Sequence, residues 1–375
     1  MNKKWIVSII IMAVILLMIL DFKYNNIRII ENLYRELETD SLRNLIEGNT
    51  VGSYHGASAE LEFTDQIINI GDEIKELYID NAIGSIEIRG EDREDILLSY
   101  KFTVYAENEE LAESFIRELS IFEDTRRERL SLRFERPVLP KGVYGVQVTY
   151  ELIVPERLSL DIRNSYGKLI IDKMAGDVTV KNSYDLCQIT DIGGRTEITA
   201  HYGKLIVRNI DNDLKVESRF NSGVDISNIG GDLILDTKYT KTKLADIAGN
   251  LEMKSEADSV SFDRIKGDLR IKADYTNLVG NGVEGKITGK VNYGQFDLFR
   301  LMNDIDLEAS YIDVEIYLED DLDRYQVYCE TEFGDIRSNL PYGVEKENRR
   351  QILSGGDGEK TIKILNEFGD IRLYK

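Results

Sequence analysis

The stretch VTVKNSYDLCQITDIGGR (178–195), followed directly by TEITAHYGKLIVRNIDND (196–213), decides the fold. The two lines align slot for slot: Val178 and Val180 over Thr196 and Ile198, Tyr184 over Tyr202, Cys187 and Ile189 over Leu205 and Val207, Ile192 over Ile210. On each side of the tyrosine, apolar residues alternate with polar ones, which is the period of a strand. A unit of 18 residues is therefore two short strands and two corners. A fixed period of that length is the signature of a solenoid.

Working outward, the aromatic fixes the register: Tyr166, Tyr184, Tyr202, Phe220, Tyr239, Tyr275, Tyr293 and Tyr311 are 18 apart, with 19 between Phe220 and Tyr239, and Ala257 holds the slot in one unit. The slot two residues earlier is small or polar throughout, for example Asn164, Asn182, Ala200, Ser218, Thr237 and Ser255. By parity it points inward and leaves room for a ring beside it. The same parity predicts inward rings that fill the corner, so the ladder is read as structural; a sugar-binding strip would need them outside. The unit closes on an aliphatic, as at Met174, Ile192, Ile210, Ile229, Ile247, Ile265, Val283 and Leu301. A left-handed hexapeptide helix also uses 18 residues per coil, but its register falls on Lys204 between Ile198 and Ile210.

The expected fold is all-β, a parallel β-helix (β-solenoid) of ~18-residue coils over 156–318, with a small α+β inserted cap and an N-terminal transmembrane helix. LYIDNAIGSIEI (77–88) marks a first β-coil in 61–90. VYCETEFGDI (327–336) and IKILNEFGDIRL (362–373) mark C-terminal coils and a cap in 319–375. Over 91–155 the pattern changes: Ile96–Tyr105, Leu130–Phe134 and Val146–Val154 alternate as strands, and Leu111, Phe115, Ile116 and Leu119 form a helical stripe. This is the cap, laid over the first coil to blunt an open sheet edge.

Before the repeats, Trp5 to Leu20 is apolar apart from Ser8. Counted to Phe22, it makes ~27 Å of helix, close to a hydrocarbon core. Lys3 and Lys4 precede it, so residues 1–4 are expected in the cytoplasm, 5–22 to span the bacterial cytoplasmic membrane once, and the bulk of the chain to be extracytoplasmic. A cleaved signal peptide is the competing reading, but Leu16–Leu20 lacks a small-residue cleavage site. Residues 23–48 read as an amphipathic stalk helix and 49–60 as a linker.

Composition narrows the function. The 375 residues carry 47 basic and 68 acidic side chains, a net charge of −21, which disfavours a nucleic-acid partner. Two histidines and two cysteines offer little for a zinc site. Cys187 and Cys329 fall in inward slots about eight coils, ~40 Å, apart, beyond the reach of a disulfide. The Gly-Asp turns at Asp177, Asp232 and Asp268 are interrupted by Arg195, Asn250 and Lys286, so they read as turn residues and not as a calcium array. His201 has no nucleophile or carboxylate at motif spacing. No metal, cofactor-binding or catalytic residue is expected.

One specific surface stands out in this acidic chain. Lys254, Lys272 and Lys290 share an outward slot in three successive units, with Arg270 two residues from Lys272. They form a candidate face for an anionic ligand, set against the plainer reading of a solvated face in which Glu217, Asp236 and Glu308 occupy the same slot elsewhere.

The phrases VQVTYELIVPERLSLDIRNSYGKLIIDKMAGDVTV (146–180) and TIKILNEFGDIRL (361–373) carry a family likeness. From Leu61 to Lys375 the chain resembles the bacterial β-strand-repeat family of adhesin-like cell-envelope domains of unknown function. That resemblance implies a β-solenoid outside a bacterial membrane and transfers no catalytic residue. The function expected is a membrane-anchored, non-enzymatic binding or scaffold protein, with a cell-envelope polymer or a membrane protein as partner. The alternatives are a regulatory partner of an envelope-stress sensor and a polysaccharide-active β-helix enzyme. The even repeats leave no long loops to wall a catalytic cleft.

Overall fold

Alternating β-branched and leucine side chains force each half-unit into a strand with one buried edge of side chains. The computed structural model describes residues 56–375, apart from 136, 320 and 321. The expected transmembrane segment, the stalk helix and the first part of the linker lie outside the described residues. Within them, no helix is long and apolar enough to cross a membrane.

The N-terminal part comprises β1 (Ala57–Asn69), β2 (Glu76–Ile83), β3 (Ile86–Glu91), β4 (Asp95–Ala106), helix α1 (Glu109–Ile116), β5 (Ile121–Arg126), β6 (Arg129–Phe134) and β7 (Val143–Pro155). The repeats follow as strand pairs: β8 (Ser159–Tyr166) with β9 (Leu169–Met174), β10 (Val178–Ser183) with β11 (Leu186–Ile192), and β12 (Thr196–His201) with β13 (Lys204–Ile210). Next come β14 (Leu214–Arg219) with β15 (Gly223–Ile229), β16 (Leu233–Lys238) with β17 (Lys241–Ile247), and β18 (Leu251–Glu256) with β19 (Ser259–Ile265). In the next three coils the strand runs on through the corner, giving β20 (Leu269–Val283), β21 (Ile287–Leu301) and β22 (Ile305–Leu318).

Successive coils pair in parallel at the sequence period. Val178 lies beside Thr196 and Thr196 beside Leu214; the extra residue after Phe220 then shifts the register so that Lys204 faces Gly223. First strands stack on first strands and second on second, making two parallel sheets with the core between them. The predicted inward slots are buried, Asn164, Asn182, Ser218, Thr237 and Ser255 included, as are all eight closing aliphatics from Met174 to Leu301.

Both ends reverse the order of stacking. The first coil is β2–β3, but the chain does not pass from it straight to β8–β9. The insert between them supplies β6 and β7, which pair in parallel with the outer side of β2 and β3, and β8–β9 then take the inner side. β5 covers β6, and β4 then β1 cover β7, all antiparallel. Two expectations are corrected here. The linker ends before Ala57, because β1 starts there, and β1 belongs to the cap: it pairs with β4 and not with a coil. Its charged alternation reads locally like a coil strand, which hides the antiparallel partner. Helix α1 packs on β1 and β4 through Ala112, Phe115 and Ile116, with Asn108 Oδ1 accepting from the Leu111 N–H at 2.9 Å as its N-cap.

At the other end β23 (Tyr325–Phe333) and β24 (Ile336–Ser338) skip a layer; β25 (Val344–Glu347) and β26 (Arg350–Gly355) form an antiparallel hairpin on β23. β27 (Lys360–Phe368) and β28 (Ile371–Tyr374) then slot between β22 and the β23–β24 layer, hydrogen-bonded on both sides. This late layer puts Cys187 and Cys329 nine coils apart, ~43 Å. Both cysteines are fully buried and free, and burial pushes each thiol up to about 12.

Candidate functional site

The aromatic ladder lies on the outside of the corner, which overturns the inward expectation. From Tyr184 to Tyr311 the rings are between 39% and 51% exposed. The cause is in the backbone: Tyr184, Tyr202, Phe220, Tyr239, Tyr275, Tyr293 and Tyr311 all have φ between 54° and 65°. A left-handed residue breaks the in–out alternation, so counting parity through it fails. For an L-residue that conformation costs about 1–2 kcal/mol. Stacking offsets it: each aromatic pair contributes about 0.5–1.5 kcal/mol beyond its buried area. The rings Tyr166, Tyr184, Tyr202, Phe220 and Tyr239 stack at 4.6–5.4 Å and within 14° of parallel. A second run, Tyr275, Tyr293, Tyr311, Phe368 and Phe333, stacks at 4.3–5.0 Å. Phe368 lies between Tyr311 and Phe333 because β27 is inserted there. Ala257, also left-handed at φ 56°, separates the two runs.

Beneath the rings the corner interior is polar. Asn81, Asn164 and Asn182 link coil to coil, each side-chain amide also donating to the carbonyl of a turn residue three positions on. Under Ala257 this role falls to Asp258, only 7% exposed, which accepts from Thr237 Oγ1 at 2.5 Å, Ser255 Oγ at 2.7 Å and the Thr240 N–H at 2.7 Å. Burial outweighs these bonds and raises its pKa above the usual carboxylate value. A raised pKa in the folded state means stability is greatest with the carboxyl protonated and is lost as pH rises through that pKa. Asp258→Asn keeps an oxygen for the Thr240 N–H and removes the charge. Its melting temperature should gain on wild type as pH rises through the raised pKa of Asp258 and hold that gain above it; a constant gap from pH 4 to 8 would contradict the assignment.

The Gly-Asp turn carboxylates are engaged structurally. Asp177 Oδ1 accepts from the Arg195 N–H at 2.8 Å, Asp232 from Asn250 at 2.7 Å and Asp268 from Lys286 at 2.9 Å, so each turn caps the backbone of the next coil. The second corner carries its own polar ladder on left-handed residues, with Asn209 Nδ2 donating to Asp191 at 2.7 Å and Arg264 to Asp246 at 2.5 Å.

The lysine slot forms one in-register column across the first sheet: Asp236, Lys254, Lys272, Lys290 and Glu308 are adjacent in successive strands. Its ends are neutralised, since Lys254 Nζ lies 3.2 Å from Asp236 and Lys290 Nζ 2.6 Å from Glu308. Exposed pairs of this kind add little to stability, because water and salt screen them. Lys272 at the centre makes no ion pair among the described residues, and neither does Arg270 beside it. The structure thus brings all four predicted residues onto one face and leaves its middle positive. Missed by parity alone were the exposed ring edges at the corner next to this face; the break at Ala257 was visible in the sequence, but not which way its neighbours turned.

These features define a class: a two-sheet parallel β-solenoid closed at both ends, with an aromatic spine along one corner. Residues 74–374 match the Toastrack family model (DUF4097), and the chain belongs to that family. Among solved structures, it is similar to a "putative adhesin" from Parabacteroides merdae (14% identity over 86% of this chain and 98% of that one, TM-score 0.28). It is also similar to a "putative cell adhesion protein" from Clostridium sporogenes (14%, 85% and 99%, TM-score 0.21). A "putative lipid binding protein" from Parabacteroides distasonis is comparable (12%, 85% and 97%, TM-score 0.25). At such scores these likenesses carry no functional weight. No curated protein matches the chain.

Proposed function

We propose that this chain is a non-enzymatic binding protein of the bacterial envelope, anchored in the cytoplasmic membrane through residues 5–22, that holds an anionic polymer of the cell wall on the Lys254–Lys272–Lys290 face. The observation that carries the reading is the central Lys272–Arg270 pair of cations, which make no ion pair among the described residues, although Glu252 lies beside Arg270, in a chain of net charge −21. Column spacing of ~4.8 Å places several positive charges along a rigid surface, so a repeating anionic chain engages them together and gains avidity from multiple weak contacts. Binding of this kind weakens with salt, because the charges are exposed and screened.

The test is co-sedimentation of the full chain, in mild detergent, with purified bacterial cell wall before and after removal of its anionic polymers. Changing Lys254, Lys272 and Lys290 together to Gln removes the charge without stacking six carboxylates in register. Binding should fall at least tenfold in the variant, on stripped wall and in high salt. Equal sedimentation of wild type and variant would sink the assignment of this face.

A further inference from the structure

The corner over the first coil is built differently from the rest. The repeats from β8 to β19 turn it in two or three residues, whereas β6 and β7 are joined by eight, 135–142. Ile83 holds the spine slot next to Tyr166, and beside it the wider turn leaves an open cavity of about 450 Å³. Ile83, Phe134, Pro137, Leu139 and Val146 give it apolar walls. Its charged groups, Asp80 and Arg133, have opposite signs, and Arg133 lies 3.2 Å from Asp124, so the rim selects no ion. The volume suits about three benzene-sized apolar groups.

The chain itself supplies such groups next to the opening. Gly56, the first described residue, runs against Tyr144 of the cavity lining: a Cβ built on Gly56 would lie 3.2 Å from that ring. Shortly before it comes SLRNLIEG (41–48), outside the described residues. Leu42, Leu45 and Ile46 are spaced i, i+3, i+4, the spacing of one face of a helical turn, and Gly48 is a residue that ends helices. A single turn is not stable alone and needs an apolar partner for that face. Residues 48–55 reach at most ~28 Å, enough to return from Gly56 to the adjoining cavity. So short a link holds the segment there at an effective concentration in the millimolar range. We propose that Leu42, Leu45 and Ile46 fill the cavity beside Ile83, docking residues 41–47 of the same chain on the cap. Three apolar side chains match the volume, and the link that carries them ends at the rim. The docked segment makes the base of the solenoid a fixed mount, whatever its lysine face binds.

Cysteine cross-linking tests this in the full chain, reconstituted in phosphatidylcholine nanodiscs. Leu45→Cys is combined either with Leu139→Cys, on the exposed side of the cavity wall, or with Ser222→Cys. Ser222 is exposed at the same corner four coils along, ~19 Å, where an undocked segment also reaches. The native Cys187 and Cys329 are fully buried and stay out of the reaction. On mild oxidation the Leu139 pair should close within the chain at least tenfold faster than the Ser222 pair. Adding Leu42→Asn and Ile46→Asn, which alter no residue of the solenoid core, should bring the two rates together. Equal rates for the two pairs from the start would overturn the docking and leave the cavity to a lipid chain. A tenfold difference that survives the two Asn changes would overturn the assignment of Leu42 and Ile46. A bond formed only between two molecules, read as a dimer on a non-reducing gel, would give the cavity to a second copy and overturn the proposal as well.

Discussion

Ile364→Pro should release the last coils of the solenoid while leaving the central repeats folded. Ile364 is fully buried in β27, with Leu307 of β22 on one side and Cys329 of β23 on the other. Proline removes the N–H from a strand that is hydrogen-bonded along both edges, a position proline does not occupy in native sheets. The loss is on the order of 3 kcal/mol or more. It falls on one place, since the strand pairing that joins β23–β24 to the array runs through β27–β28, with the Tyr325 hydroxyl adding a bond to the Leu301 carbonyl at 3.1 Å. Hydrogen exchange would then show residues 325–375 unprotected and residues 178–265 protected as in wild type. Uniform protection, or uniform collapse, would mean that the inserted layer is not what joins the end to the rod.

The second large effect is expected at the turns. A Cβ added at Gly267 would lie 2.4 Å from the carbonyl oxygen of Gly249 and 2.6 Å from its carbon, backbone atoms of the coil before, which have no free room to move. Gly267→Ala therefore forces two coils apart at one corner and costs about 1–3 kcal/mol. At about 2.1 cal/mol/K of unfolding entropy per residue, a chain of this size shifts by roughly 1–2 °C per kcal/mol in melting temperature. Gly223→Ala is the control: its new methyl would have only the Lys241 carbonyl nearby, at 3.9 Å, so it should be neutral or mildly stabilising. Equal effects at the two positions would show that close stacking at the turn is not what the glycines provide.

These cases show where reading the sequence succeeds. A strict period makes each slot recur, so the alternation of Val178, Val180, Cys187 and Ile189, the closing aliphatics and the polar inward slot of Asn182 were all legible, and so was the shared slot of Lys254, Lys272 and Lys290. The pairing of the end lysines with Asp236 and Glu308 follows from the same register. What the period could not reveal is backbone hand. Tyr184 looks inward if the strand is extended through it and is outward because its φ is 65°. Tyrosine is a poor marker for that conformation, whereas Asp191 and Asn209 at the second corner carry a residue type that favours it. Nor does the period say which coil stacks on which. The strand phrases at 77–88 and 362–373 were recognisable as coils, but their neighbours come from 129–155 and 325–338, and no local pattern encodes that choice.

The reversed stacking at the two ends has a consequence for how such a protein changes over generations. Closure depends on β1–β7 at one end and β23–β28 at the other, and neither set of contacts involves the middle repeats. A duplication or loss of one 18-residue unit between β10 and β19 lengthens or shortens the rod by ~4.8 Å and leaves both closures as they were. Length is thus a heritable variable independent of folding, and a lineage that must span a thicker envelope gains reach by copying a coil.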